Sequence, residues 1–174
     1  ANDLFTLTKV AEGDRLVDVL LGSDRSQFLI ATHNGMLIRF EGSEVRAMGL
    51  LAVGVNAIKL AENDEVVSLV EISGKGEVVL VASNGIAWRL TLENIPLQGR
   101  YGQGVIGCRL ERGAELIGAV YGKKNYLYGL RFRKAAAKNY RIDDIGISKR
   151  AGRGEQLVSL NENDRIIKLM QVKD

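Results

Sequence analysis

The sequence is poor in the residues that most specialised protein chemistry requires. Among its 174 residues are one cysteine, Cys108, and one histidine, His33. An internal disulfide and a multi-cysteine zinc site are therefore excluded. No stretch reaches the roughly 18 consecutive apolar residues of a membrane-spanning helix, and the first residues lack the basic and apolar regions of a signal peptide. Because so few cysteines suit a reducing compartment, we expect a cytoplasmic protein.

The sequence also lacks a recognisable catalytic pattern. There is no Ser/His/Asp set, no phosphate-binding glycine motif ahead of a helix, and no pair of carboxylates in a plausible pocket. Asp143 and Asp144 lie among basic residues, where we interpret them as reducing the local positive charge. We predict that this chain is not an enzyme by itself and uses no cofactor or metal. His33 lies two residues before the hairpin glycine Gly35 and is expected to face solvent in a turn. Cys108 is expected in the core.

Glycine is abundant, with 20 residues against one proline, and it recurs within a 50-residue repeat. Asn34-Gly35 returns as Asn84-Gly85, and Arg39 returns as Arg89. The pair Gly54-Val55 returns as Gly104-Val105, and the glycine returns again as Gly154. A repeat of this length is typical of architectures in which each unit is one blade of short strands. The chain therefore predicts a propeller-like all-β fold.

Each unit predicts two hairpins. Asn-Gly between apolar runs is a strong hairpin signal, and it predicts paired strands at 27–32 and 36–40 and at 77–82 and 86–90. A second hairpin is predicted from strands at 55–60 and 65–70. In the third unit the Asn-Gly pair is replaced within Phe132–Lys138, which predicts either one helical turn or an elongated basic loop.

The repeat divides the chain into about three and a half units. We expect a partial blade over residues 1–22 and blades over about 23–72, 73–122 and 123–174, in one domain or a fragment of one. The absence of an initiating Met suits a fragment or a processed start. Propellers of fewer than four blades do not close, so we also expect either a larger ring or self-association of an incomplete one.

The positive charge is concentrated in one third of the chain. The net charge is +3, yet the segment from Lys123 to Arg153 carries +8, which leaves −5 for the remainder. A basic segment on a mildly acidic body is typical of an anion-binding surface. Its basic residues are Lys123, Lys124, Arg131, Arg133, Lys134, Lys138, Arg141, Lys149, Arg150 and Arg153.

The repeat pattern resembles a known bacterial family. Gly35, Arg39, Gly54-Val55 and the run Ile95–Val105 are similar to the blades of the C-terminal domain found in the A-type subunits of DNA gyrase and topoisomerase IV. This resemblance implies a β-pinwheel, a ring of four-stranded blades with strands exchanged between neighbours. Gyrase carries a box, Gln-Arg/Lys-Arg-Gly-Gly-Arg/Lys-Gly, that is needed for tight wrapping of DNA. Its nearest match here is Ser148–Gly154, which departs at Ser148 and Ala151.

The resemblance implies binding of double-stranded DNA without sequence preference, together with bending or wrapping of the duplex. The implied partners are the remainder of the A-type topoisomerase chain and, through it, the ATPase subunit, in a nucleoid-associated complex. The alternative is a propeller-like scaffold that binds a protein or peptide and has no role with DNA. The candidate DNA-binding residues are Lys149, Arg150, Gly152, Arg153, Gly154, Arg100, Arg131, Arg133, Lys134, Lys138, Arg141, Arg39 and Arg89.

Overall fold

The structure is a computed structural model that describes residues 6–172. Residues 1–5 and 173–174, the ends of the predicted first and last units, lie outside the described residues. The described part contains eleven β-strands, three single-turn 3₁₀ helices and no α-helix. The strands are β1 (Gln27–Thr32), β2 (Met36–Glu41), β3 (Val66–Ile72), β4 (Glu77–Ala82), β5 (Ile86–Thr91), β6 (Val105–Ile106), β7 (Leu116–Gly122), β8 (Leu127–Phe132), β9 (Lys138–Arg141), β10 (Glu155–Gln156) and β11 (Ile166–Gln171). The 3₁₀ turns are Gly42–Glu44, Leu92–Asn94 and Ile142–Asp144.

The Asn-Gly hairpins form where the sequence predicts them. β1 pairs with β2 and β4 pairs with β5 in antiparallel register. Gly35 and Gly85 have φ values of +84° and +87°, the left-handed conformation that the tight turn requires and that glycine adopts without strain. The predicted all-β fold is confirmed, and these four strands lie within one residue of their predicted bounds.

The strands are exchanged between successive units. The first sheet has the order β3-β1-β2-β6 and the second the order β10-β5-β4-β7. Because β6 belongs to the second repeat and β10 to the third, each four-stranded sheet is completed by a strand from the following unit. Met36 pairs with Ile106, and Ala87 pairs with Glu155. This exchange is the arrangement implied by the resemblance to β-pinwheel domains.

The predicted second hairpin is wrong. β3 pairs with β1, and within residues 55–60 only Ile58 forms a β-bridge, with Gly102. The physical reason is the exchange, since this segment stands at the repeat position of β6 and β10. Those strands complete the sheet of the preceding unit, and the described residues contain no preceding hairpin that residues 55–60 could pair with.

The third unit differs from the first two. Its sheet has three strands in the order β11-β8-β9, and residues 133–137 form the loop that was one of the two predicted alternatives. The backbone N–H groups of Lys134 and Ala135 donate to the carboxylate of Asp164 at 2.9 and 3.1 Å. This side chain anchors the loop, just as the equivalent Asp64 accepts from the Asn34 N–H in the tight turn of the first unit.

The three sheets pack face to face in chain order. Leu29, Leu37, Leu80 and Trp88 are among the buried residues between the first and second sheets, and a second cluster fills the space between the second and third sheets. Cys108 is buried in the first of these clusters, as predicted, and burial raises the pKa of its thiol to about 12. The inner strands β3, β7 and β11 line a central cavity of about 1140 Å³.

His33 is not the solvent-facing turn residue that the sequence suggested. Its imidazole is half-buried, and Nε2 lies 2.8 Å from Oε2 of Glu115, a residue of the second unit. The hydrogen bond to Glu115 raises the pKa of His33 above its ordinary value, against the opposing effect of burial. Arg165 of the third unit lies 3.7 Å from the other Glu115 oxygen, so Glu115 contacts side chains of both neighbouring units.

The substitution His33→Gln should therefore lower thermal stability in a pH-dependent way. Since the pKa is raised in the folded state, the stabilisation is fully present below the unfolded-state pKa of about 6.5 and is lost as pH rises through the folded-state value. We expect a decrease in Tm of about 1–3 °C at pH 5.5 and a smaller one at pH 8.5, measured by calorimetry. Equal decreases at both pH values would contradict this account of the pair.

Candidate nucleic-acid interface

The cations of the basic segment are all exposed, although the segment also contributes residues to the core. All ten of its lysine and arginine side chains belong to exposed residues. Within residues 6–172, none of the ten lies within 4.0 Å of a carboxylate, and the ion pairs that do form involve other cations. Their positive charge is therefore not neutralised locally. The two acidic residues of the segment form no ion pair with these cations and instead accept hydrogen bonds from backbone N–H groups.

Asp143 and Asp144 hold the backbone of the third unit. A carboxylate oxygen of Asp143 accepts a hydrogen bond from the Asn125 N–H at 2.9 Å, and this bond holds the pKa of Asp143 below its ordinary value. Asp144 accepts from the Arg141 N–H at 2.8 Å. In the part of the chain that the structure describes, no group of three or more potential ligands is arranged to hold a metal ion.

Half of the basic segment's cations belong to the third sheet. Arg131 lies on β8 and Lys138 and Arg141 on β9, while Arg133 and Lys134 lie in the loop between these strands. β9 stands at the edge of its sheet, so its cations are not covered by a further strand. The structure places these five predicted residues on one sheet and its connecting loop.

The box-like loop Ser148–Gly154 lies in the connection that runs from β9 of the third sheet to β10 of the second sheet. The Ser148 N–H donates to the Arg89 carbonyl at 2.7 Å, and the Ala151 N–H donates to the Gly107 carbonyl at 3.0 Å. The loop is thus fixed both to β5 of the second sheet and to the segment after β6, a strand of the first sheet. The side chains of Lys149 and Arg153 are exposed. Within the described residues these two cations form no ion pair, and backbone hydrogen bonds hold their loop in place.

Arg150 and Arg100 have a structural role that the sequence analysis missed. The Arg150 guanidinium donates to the Ile106 carbonyl at 3.1 Å, and Arg100 donates in the same way to the Asn56 carbonyl. Both therefore link their own loop to the preceding repeat. The sequence did contain a signal for this structural role, since an arginine recurs at the same repeat position, as Arg100 and Arg150. Arg150 remains exposed and Arg100 is half-buried.

The two glycines of the loop are explained by packing. The Gly152 N–H donates to the Lys149 carbonyl at 3.1 Å, and the Gly152 carbonyl accepts from the Trp88 indole N–H at 2.9 Å. A Cβ on Gly154 would lie 2.6 Å from Cε2 of Trp88. Because the Gly152 N–H is already bonded within the loop, it is not free to donate to a phosphate.

The assignment of Arg89 to the DNA-binding surface is corrected by its burial. Arg89 is 6% exposed, its Nε lies 2.6 Å from a carboxylate oxygen of Glu77, and its Nη1 donates to the Ile145 carbonyl at 3.0 Å. It is a paired interior residue that joins the second sheet to the third unit. Arg39, at the equivalent position of the first unit, is half-buried, and its buried Nε has no hydrogen-bond partner among the described residues.

None of the helical turns within residues 6–172 has the length and hydropathy needed to cross a membrane.

Comparisons with known proteins agree with this geometry. The family model described as "DNA gyrase C-terminal domain, beta-propeller" matches residues 26–73, 76–121 and 136–173. A crystal structure of the C-terminal domain of DNA topoisomerase IV superposes with a TM-score of 0.90 at 27% identity, over 97% of this chain and 53% of that one. A structure of the DNA gyrase A C-terminal domain superposes with a TM-score of 0.54 at 18% identity, over 86% of this chain and 66% of that one, which supports the fold alone.

Sequence comparison gives a shorter match. A 41-residue segment is 44% identical to the DNA gyrase A protein of Streptococcus pyogenes serotype M3, and it covers 24% of this chain and 5% of the relative. The chain thus matches about half of the topoisomerase IV domain and a small part of the gyrase relative.

The exchanged strands and the repeated sheets define a β-pinwheel domain. The chain belongs to the DNA gyrase C-terminal domain, beta-propeller family. It corresponds to the non-catalytic C-terminal part of the A-type chain of a type IIA topoisomerase.

Proposed function

We propose that the chain binds double-stranded DNA without sequence preference and bends or wraps the duplex around its rim. The observation that carries this proposal is the set of ten exposed cations, none of them paired with a carboxylate within the described residues. Lysine and arginine that neutralise phosphates release condensed counterions, and this release supplies most of the affinity that is independent of sequence.

The repeated loops support bending. Arg100 and Arg150 stand at the same position of successive units, and each is anchored to a backbone carbonyl of the preceding repeat. Cations at regular intervals along a curved row of sheets contact phosphates at intervals without reading bases. Bending 20–30 base pairs by 40–90° costs about 1–6 kcal/mol, so several contacts must act together.

The partners follow from the family. We propose that the domain acts with the remainder of an A-type topoisomerase chain and, through it, with the ATPase subunit, in the cytoplasm and associated with the nucleoid. Self-association of the incomplete ring stays a prediction. DNA cleavage and ATP use are assigned to other parts of the enzyme.

Salt dependence of binding tests the proposal. If five to eight phosphates are contacted, a plot of log K against log salt concentration should have a slope of about −4 to −7. Fluorescence anisotropy with a labelled 40-base-pair duplex of mixed sequence, at several KCl concentrations, measures this slope. A second duplex of unrelated sequence is the control and should bind equally. A flat salt dependence, or no binding at low salt, would contradict the proposal and favour the alternative of a protein- or peptide-binding scaffold.

A further inference from the structure

Tyr101 differs in exposure from every other aromatic residue that the structure describes. It is 52% exposed, whereas the tryptophan and the other described tyrosines and phenylalanines are buried or half-buried. The hydroxyl of Tyr121, for comparison, donates to the Gly74 carbonyl at 2.9 Å, and Tyr128 and Tyr140 stack on each other. A large aromatic ring that is left in water at a single place is a candidate contact for a binding partner.

The backbone at Tyr101 has the left-handed conformation, with φ +67°. Leu51 and Ala151, one repeat before and one repeat after, have φ values of +66° and +58°, so the turn sets this conformation whatever side chain is present. A residue with a Cβ is strained there, and glycine is not. Because about half of Tyr101 is exposed, packing against the described residues offsets that strain only in part. Strain that is retained at an exposed loop is typical of a functional position.

Tyr101 lies on a loop that is placed in the same way as the box-like loop Ser148–Gly154. The Gln98 N–H donates to the Arg39 carbonyl at 2.8 Å, and the Tyr101 N–H donates to the Ala57 carbonyl at 2.8 Å. These bonds are the repeat equivalents of the two bonds that hold Ser148–Gly154 in place. β2, which contains Arg39, is separated from the cavity-lining β3 by β1, so the loop lies on the outer side of its sheet. A partner that follows Ser148–Gly154 along the rim therefore meets Tyr101 one unit earlier.

The two loops differ in charge. Ser148–Gly154 contains three cations, whereas the equivalent residues 98–104 contain only Arg100. The Arg100 guanidinium donates to the Asn56 carbonyl, and its backbone N–H donates to a carboxylate oxygen of Glu44 at 2.8 Å. The attraction of phosphates is therefore weaker at this loop, and its exposed aromatic ring offers an apolar contact instead.

We propose that Tyr101 packs its ring against deoxyribose sugars of the bound duplex, as a contact that carries no charge. This inference rests on the proposed DNA binding. The sugars have the same shape in every nucleotide, so a ring that packs on them positions the duplex without reading its sequence. The backbone hydrogen bonds of Gln98 and Tyr101 hold the turn before DNA arrives, which lowers the conformational entropy lost on binding.

The substitution Tyr101→Gly separates this contact from a structural role. Glycine adopts the left-handed conformation without strain, so we expect the melting temperature to stay the same or to rise. DNA affinity, measured by anisotropy with the same duplex, should fall about 5–10-fold, because about 40–60 Å² of ring surface is no longer removed from water. The loss should be equal at every KCl concentration and leave the salt slope unchanged, since no phosphate contact is removed. Tyr101→Phe keeps the ring and should bind within about twofold of the unsubstituted chain.

The matched control is Ala151→Gly. It relieves the same backbone conformation in the next unit and removes only a methyl group, so we expect DNA affinity to be unchanged. A lower melting temperature for Tyr101→Gly would overturn the proposal, because the ring would then stabilise the fold. An affinity equal to that of the unsubstituted chain, or a less negative salt slope, would overturn it as well.

Chemical modification reads the contact directly. Tetranitromethane nitrates exposed phenol rings, and all the tyrosines of the described residues other than Tyr101 are buried or half-buried. An excess of the same duplex should slow the nitration of Tyr101, followed by mass spectrometry of its peptide, and equal rates with and without DNA would contradict the proposal. If the unsubstituted chain does not bind DNA, the proposed function fails together with this inference. If it binds with the expected salt slope and Tyr101→Gly binds equally, this inference alone fails.

Discussion

The substitution Arg89→Met should lower the free energy of unfolding by about 3–5 kcal/mol, because it leaves the Glu77 carboxylate without its buried partner. Arg89 is 6% exposed, and the side chain of Glu77 is 18% exposed. Water can therefore replace the lost hydrogen bonds of Glu77 only in part, and the Ile145 carbonyl also loses its donor. Chemical denaturation in urea measures the change. The double variant Arg89→Met with Glu77→Leu should recover part of the loss, since neither charge then remains.

The repeat provides a matched control for this substitution. Arg39 occupies the equivalent position of the first unit, where Gln27 stands in place of Glu77. Within the described residues Arg39 has no carboxylate within 4.0 Å, and its Nε already lacks a partner. The substitution Arg39→Met should therefore change the free energy of unfolding by about 1 kcal/mol or less. Losses of equal size at the two positions would show that the ion pair is not the cause.

Neutralising Lys149, Arg150 and Arg153 together as glutamines should weaken DNA binding by about 10²–10³-fold at 0.1 M salt and make the salt slope less negative by about 2.7. All three side chains are exposed on one loop. Because Arg150 also donates to the Ile106 carbonyl, the melting temperature of the variant is measured in parallel. Bending, followed by energy transfer between the ends of a labelled duplex, should decrease as well.

The control removes the same charge from the first unit. Arg25, Arg46 and Lys59 are exposed, and within residues 6–172 none of them forms an ion pair. Arg15 is unsuitable, because its guanidinium lies 2.8 Å from a carboxylate oxygen of Glu65. Replacing the three control residues by glutamine should leave the salt slope nearly unchanged. Equal effects of the two triple variants would mean that DNA responds to the overall positive charge of the protein and that the loop Ser148–Gly154 has no particular role.

The local part of the fold was predictable from the sequence. The bounds of β1 and β4 agree with their prediction because a hairpin is specified by nearby residues: the turn needs left-handed backbone at Gly35 and Gly85, and apolar residues flank it. The wrong second hairpin has the opposite cause. β6 pairs with a strand about 70 residues earlier in the chain, and a short run such as Val105–Ile106 contains no information about so distant a partner.

The sequence predicted where the positive charge of the candidate site lies. It did not predict which of the site's side chains are buried or bonded to other residues. The distribution of charge along the sequence located the basic third, and its lysine and arginine residues are exposed in the structure. The burial of Arg89 was not predictable from its own position, because Arg39 stands at the same repeat position and is only half-buried. The difference lies in residues 27 and 77, glutamine and glutamate, on the paired strand.

The strand exchange also determines when each sheet can be completed during synthesis. β2 ends at Glu41, whereas its partner β6 begins at Val105. At a translation rate of about 5–20 residues per second, the intervening chain takes about 3–13 s to emerge, whereas a hairpin such as β1–β2 forms in about 1–10 μs. Throughout that interval β2 presents an unpaired edge, which is the state in which a nascent strand is most exposed to pairing with another chain.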